Sequence, residues 1–119
     1  LVDAKFMDTY PNQILVNKYM PGQGRDKHID HPLFHDQIVY MSVGSPYIIK
    51  LENKDDKTAQ VDVPVIPGSL IVFSGDARNN WVKSIPARTS DNYNIPNVIE
   101  QTWTRSVIIS IIFRTVKSL

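Results

Sequence analysis

Three features of this chain predict a mainly β domain of two packed layers. Short β-rich runs recur along it, turn-forming residues separate them, and helical periodicity is scarce. Seven short strands at this spacing favour a sandwich or jelly roll over any helical fold.

Taken in order, the expected strands are residues 13–20 (QILVNKYM), 37–43 (QIVYMSV), 47–52 (YIIKLE), 60–66 (QVDVPVI), 69–73 (SLIVF), 81–85 (WVKSI) and 106–116 (SVIISIIFRTV). β-branched and aromatic residues dominate them, as a pleated and half-buried surface requires. Gly44-Ser45-Pro46, Asn53-Lys54-Asp55-Asp56, Pro67-Gly68 and Ser74-Gly75-Asp76 supply the turn chemistry between them. The five polar residues 53–57 read as a hairpin loop between two strands. Gln60-Val61-Asp62-Val63 alternates polar and apolar, the pattern of a half-exposed strand. Residues 107–113 are almost continuously apolar, which places the last strand deep between two layers. Residues 87–101 (ARTSDNYNIPNVIEQ) are polar and lack a clear period, so a long surface excursion is expected there.

With 119 residues and 42% hydrophobic content, the chain is expected to form one domain, residues 1–119, around one core. A net charge of +1 with interleaved acids and bases lacks the sustained basic character that drives nucleic-acid binding. There is no apolar stretch of membrane-spanning length and no signal-like segment. A soluble, intracellular protein of unassigned compartment is the expectation. The absence of cysteine removes disulfides and thiolate metal sites and fits either redox compartment. A start at Leu1 reads as an excised domain or a processed mature form, an organelle such as the mitochondrion fitting the latter. The terminal Lys117-Ser118-Leu119 has the wrong order for a peroxisomal address.

The chemistry-bearing motif is His28-Ile29-Asp30, after the first strand and a Pro21-Gly22-Gln23-Gly24 turn. On a strand, side chains two apart share a face, so His28 and Asp30 can address one atom. An imidazole and a carboxylate need a second imidazole to complete the facial triad of a non-haem Fe(II) oxygenase.

The string Asn12 to Tyr19 (NQILVNKY), then Pro21-Gly22-Gln23-Gly24 and His28-Ile29-Asp30, resembles the opening of an AlkB-type dioxygenase core that uses 2-oxoglutarate and Fe(II). Phe34, Ile38, Ser42 to Ser45, Pro67 to Leu70, Gly75 to Arg78, Trp81, Ser84 to Arg88 and Ser110 to Val116 follow in that family's order and spacing. The spacing is similar to the branch that acts on transfer RNA wobble uridines. The resemblance implies a double-stranded β-helix, a jelly roll with the iron and co-substrate at its open end. It implies His28 and Asp30 as metal ligands and Asn17, Tyr19, Ser110 and Arg114 as 2-oxoglutarate contacts. Arg114, on so apolar a strand, needs an anionic partner, either a ligand or Asp30.

Two positions depart from the family. Its W-x-H-x-I pattern reads Trp81-Val82-Lys83-Ser84-Ile85, so a lysine stands at the third metal ligand. An ammonium has three donors and no lone pair, and it repels a cation. Ile108, six residues before Arg114, stands at the arginine that grips the far carboxylate of 2-oxoglutarate. His31 and His35 are surface histidines by the same pattern, and Arg105 lies about 10 Å of strand rise from position 108. Only residues 1–11 precede the core, which on this resemblance leaves the nucleotide-recognition lid absent.

The sequence therefore predicts a catalytically inactive AlkB-like domain, a structural or interaction subunit of a larger assembly with no resident cofactor. In the expected resting state, Lys83 pairs with Asp30 where the metal would sit. Phe6, Tyr10 and Tyr93 are candidate protein contacts, and protein partners are expected. The alternatives are an active oxygenase using Fe(II) and 2-oxoglutarate on a nucleic acid or protein, and a non-catalytic RNA- or nucleotide-binding module contacting its partner through Arg78, Trp81 and Arg88.

Overall fold

The computed structural model describes residues 7–94 and 100–117. Ten strands and one short helix follow in the order β1 (Gln13–Tyr19), β2 (Arg25–His28), β3 (Ile38–Gly44), β4 (Tyr47–Asn53), β5 (Gln60–Val65), β6 (Leu70–Phe73), α1 (Gly75–Asn79), β7 (Trp81–Ile85), β8 (Ser90–Asn94), β9 (Glu100–Thr104) and β10 (Ile108–Arg114). Two four-stranded sheets carry the architecture, one ordered β1-β10-β3-β6 and the other β2-β7-β4-β5. All their pairings are antiparallel. The fold is the jelly roll expected, because each sheet turns one apolar face inward.

The core lies between the sheets. Tyr19, Ile38, Tyr40, Phe73, Ile108 and Ile112 enter it from the first sheet, and Tyr47, Ile49, Leu51, Val65 and Ile85 from the second. The last strand is not uniformly deep. Residues Ile108, Ser110, Ile112 and Arg114 are buried while the residues between them are half-buried, so β10 alternates despite its largely apolar sequence. Its outward residues Ile109, Ile111 and Phe113 lie opposite Lys18, Val16 and Ile14 of β1. Ile14 and Val16 are 60% and 61% exposed. The outer face of this sheet is thus an apolar surface.

Two expectations need correction. The segment read as a long excursion contains the β8–β9 hairpin, paired from Ser90↔Thr104 to Asn94↔Glu100. Its polarity hid it: a two-stranded sheet with little core behind it needs no apolar period. The hairpin is tied down by Asp91, 1% exposed, which accepts from Arg105 at 2.6 and 2.8 Å and from Arg88 Nε at 2.7 Å. The second correction concerns the H-x-D motif, which is not wholly on a strand. His28 ends β2 and Asp30 lies in the connection that follows.

Candidate functional site

The register of β2 on β7 sets the site. His28 lies directly opposite Lys83, and Lys83 lies opposite Leu51 of β4. Directly opposed residues share a face, so His28 and Lys83 both point between the sheets. Asp30 reaches the same point from the loop. Arg78 of α1 fixes that loop by donating to the backbone carbonyls of Asp30 (2.8 Å), His31 (3.0 Å) and Phe34 (3.4 Å).

Lys83 Nζ stands 2.7 Å from Asp30 Oδ2, with both side chains almost wholly buried. Neither atom completes an aligned hydrogen bond, so charge is what holds the contact. The ammonium also lies 4.8 Å from the centre of the Phe73 ring, a cation–π arrangement. The other oxygen of Asp30 accepts from Arg114 at 3.3 Å, and the guanidinium stacks 4.1 Å above Phe34. One carboxylate therefore faces two cations. Burial alone pushes the Asp30 carboxyl up, but the adjacent Lys83 charge, with Arg114 helping, outweighs it and holds the carboxyl below its ordinary value. Burial lowers the Lys83 ammonium, with Asp30 opposing the shift.

His28 keeps a feature of a ligand imidazole. Its Nδ1 is 2.9 Å from the carbonyl of Asp26. A carbonyl only accepts, so Nδ1 carries the proton and Nε2 of the neutral ring is an acceptor. That Nε2 is buried without a partner. Burial, the largest influence, lowers the pKa of the imidazole and keeps the ring neutral.

Asn17 and Tyr19 lie on the inward face of β1, opposite Ser110 and Ile108 of β10. Ile108 is buried, so this point of the inner face is aliphatic. Among the described residues, no cluster of three or more His, Asp or Glu side chains is arranged to hold a metal. His31 and His35 are exposed, with His31 Nδ1 accepting from the amide of Leu33.

Of the residues expected at a contact surface, Arg78 is spent internally, whereas Trp81 and Arg88 stay partly exposed. Arg78 is only 2% exposed and serves the Asp30 loop. Trp81 is half-buried and donates Nε1 to Asp76 at 2.9 Å. Arg88 pairs with Asp91. Burial of Arg78 was not legible because a five-residue helix of polar sequence reads as a turn. Tyr10 is exposed, Tyr93 stacks on Trp103, and Phe6 lies outside the described residues. Sequence reasoning also missed Phe73 and Tyr40, and it singled out Phe34 without a role, because their roles depend on partners far along the chain.

Two facing antiparallel sheets, with an H-x-D unit at the mouth between them, define a jelly roll of the oxygenase class. Residues 1–114 match the family model of the 2OG-Fe(II) oxygenase superfamily. The chain belongs to that family as an AlkB-like member. It is 37% identical over 92 residues to the mouse tRNA (carboxymethyluridine(34)-5-O)-methyltransferase ALKBH8, covering 76% of this chain and 14% of that protein. It is 32% identical over 113 residues to the uncharacterized protein L905 of Acanthamoeba polyphaga mimivirus, covering 94% of this chain and 51% of that protein. The solved structure of OsALKBH1 shares the fold with a TM-score of 0.65 at 19% identity, covering 90% of this chain and 49% of that one. The chain thus spans about half, or less, of the length of these relatives.

Proposed function

We propose that this is a catalytically inactive AlkB-like domain, kept as a structural or interaction module within a larger assembly. The observation that carries the proposal is the Lys83 ammonium 2.7 Å from Asp30 Oδ2. The family's chemistry needs a divalent metal held there by two imidazoles and a carboxylate. In this chain the carboxylate is engaged by Lys83 and Arg114, and the position of the second imidazole bears a cation. Removing a charge from so buried a pair is costly, so metal entry must break a contact the fold depends on. The residues do not fit iron, and Ile108 does not fit the far carboxylate of 2-oxoglutarate.

Support for an interaction role comes from the outer face of the β1-β10-β3-β6 sheet, where Ile14, Val16, Val43 and Val72 are exposed. Contiguous apolar surface of this kind marks association sites. The RNA-binding alternative is weakened by the burial of Arg78, which donates to the Asp30 loop instead of solvent. The active-oxygenase alternative rests on one observation, the unpartnered acceptor Nε2 of His28.

The test is iron content and succinate release from 2-oxoglutarate by the purified protein. Background turnover, equal to that of His28→Ala, is the expected result. Stoichiometric iron, or turnover above that control, would sink the proposal.

A further inference from the structure

The alternation that turns Tyr47, Ile49 and Leu51 of β4 into the core turns Ile48, Lys50 and Glu52 to the other side of the sheet. That outer side is not simply open to water. Ile48 is wholly buried, and the β8–β9 hairpin packs against β4 through β8. Glu52 is 9% exposed and pairs with Lys27 Nζ at 3.3 Å, while Gln60 Nε2 donates to it at 3.3 Å. Beside these groups lies a cleft of about 420 Å³, with Lys50, Glu52, Gln60, Ser84, Pro86 and Arg88 in its wall.

Two cations of this wall keep positive charge to spare. Lys50 is half-buried and directly opposite Asp62 of β5, close enough for a cross-strand ion pair. Among the described residues it forms none, and Lys50 lines the cleft while Asp62 does not. Its neighbour on the other side is Ser84 of β7. Arg88 is held in place by its Nε, which donates to the buried Asp91 at 2.7 Å. Asp91 also takes two hydrogen bonds from Arg105, so one carboxylate serves two guanidinium groups. The Arg88 side chain is still 39% exposed. The acids nearby do not cancel this charge. Glu52 is engaged by Lys27 and Gln60, and Asp26 is offset by Arg25 along the same wall.

We propose that this cleft binds a phosphate monoester, with Lys50 and Arg88 holding its oxygens and Ser84 donating a hydrogen bond. A phosphate monoester carries close to two negative charges and three strong acceptor oxygens, which matches two cations and a hydroxyl. A monocarboxylate would satisfy only one of the cations. The cleft is of ligand-pocket size, and Pro86 and Ala87 give it an apolar side for the organic group of the ester. Ser84 points away from the core while its neighbour Lys83 points in, so the site lies across the sheet from Asp30. It stands independently of the non-catalytic reading.

The experiment titrates the protein at about pH 7.5, where the monoester is a dianion, with sodium chloride holding ionic strength constant. The probes are inorganic phosphate, adenosine monophosphate and a short neutral peptide bearing one phosphoserine, each followed by amide chemical shifts. Saturable binding of a monoester, tighter than inorganic phosphate and centred on Lys50, Ser84 and Arg88, is the expected result. A tighter phosphopeptide assigns the ligand to a modified protein partner, and tighter adenosine monophosphate assigns it to a small soluble ester. Lys50→Gln should weaken binding roughly tenfold, the worth of one charge-assisted hydrogen bond. Ser84→Ala, the second variant, should weaken it to a smaller extent. Lys54→Gln removes the same charge at an exposed position outside the cleft and should bind as wild type. The proposal is overturned by a wild type with no saturable response, or by Lys50→Gln and Lys54→Gln losing affinity equally. It is also overturned if single-stranded RNA without a terminal phosphate shifts these residues while the monoesters do not.

Discussion

Lys83 shows how one side chain changes what a site can hold. On the reading proposed above it stands in for a metal-binding imidazole, offers only N–H donors, and sits 2.7 Å from the Asp30 carboxylate. Lys83→His should restore a third donor beside His28 and Asp30. The variant is expected to be less stable than wild type without metal and to bind Co²⁺ with a visible absorption band that the wild type lacks. It should still not turn over 2-oxoglutarate unless Ile108→Arg is added, which succinate assay of the single and double variants will show. Acid should destabilise the protein in two steps. Burial holds His28 below its ordinary 6.5, so the unfolded chain takes up the extra proton and stability declines as pH falls through that window. Asp30 is also held below its ordinary 3.8, against the effect of burial, by Lys83. Its contribution is present above that value and is lost as pH falls further. Urea titrations between about pH 7 and about pH 5 should show a modest loss in wild type that is absent in His28→Gln.

Among the elements, the β8–β9 hairpin depends on a single buried carboxylate. Burial pushes Asp91 up, but hydrogen bonds from Arg105 and Arg88 outweigh it and hold it low. Arg105 is buried as well, and it also donates to the carbonyl of Gln23 in the turn before β2. Asp91→Ala leaves that guanidinium without its counter-ion, at a cost of about 3 to 5 kcal/mol. Denaturant unfolding should register the loss, with hydrogen exchange fastest in β8 and β9. How much of this was legible differs by element. The strands of the two main sheets show in the sequence, since alternation and turn residues are local. β2 does not, because Arg25 to His28 are all charged or titratable and the register shift that sets His28 opposite Lys83 exists only in its pairing with β7. α1 was hidden for a related reason: Arg78 is buried not by apolar neighbours but by three backbone carbonyls of the Asp30 loop.

At the scale of the whole molecule, the unusual property is a sheet with two apolar faces. The inner face of β1-β10-β3-β6 forms the core, and the outer one leaves Ile14 and Val16 in solvent. On a monomer such residues contribute little to stability, so Ile14→Lys with Val16→Lys should change it by no more than about 0.5 kcal/mol per site. The same pair should sharply reduce co-purification in any larger complex, or self-association by sedimentation, if this face is the docking surface of an interaction module. Unchanged association would place the contacts elsewhere. No helix of the described residues is long and apolar enough to cross a membrane.

The sequence by itself determined the β architecture and the H-x-D unit, and its resemblance to the family singled out Lys83 and Ile108 as departures. Each follows from residue type at a fixed spacing, and alternation, turn chemistry and the lack of a lone pair on an ammonium are properties of short segments. Only the tertiary structure decided where the charges go. Arg114 meets Asp30 from 84 positions away, Arg78 turns inward to carry the Asp30 loop, and a register shift on β7 sets His28 opposite Lys83. These placements come from strand register and from the need of buried charges for partners, and partners distant in sequence leave no local pattern to read.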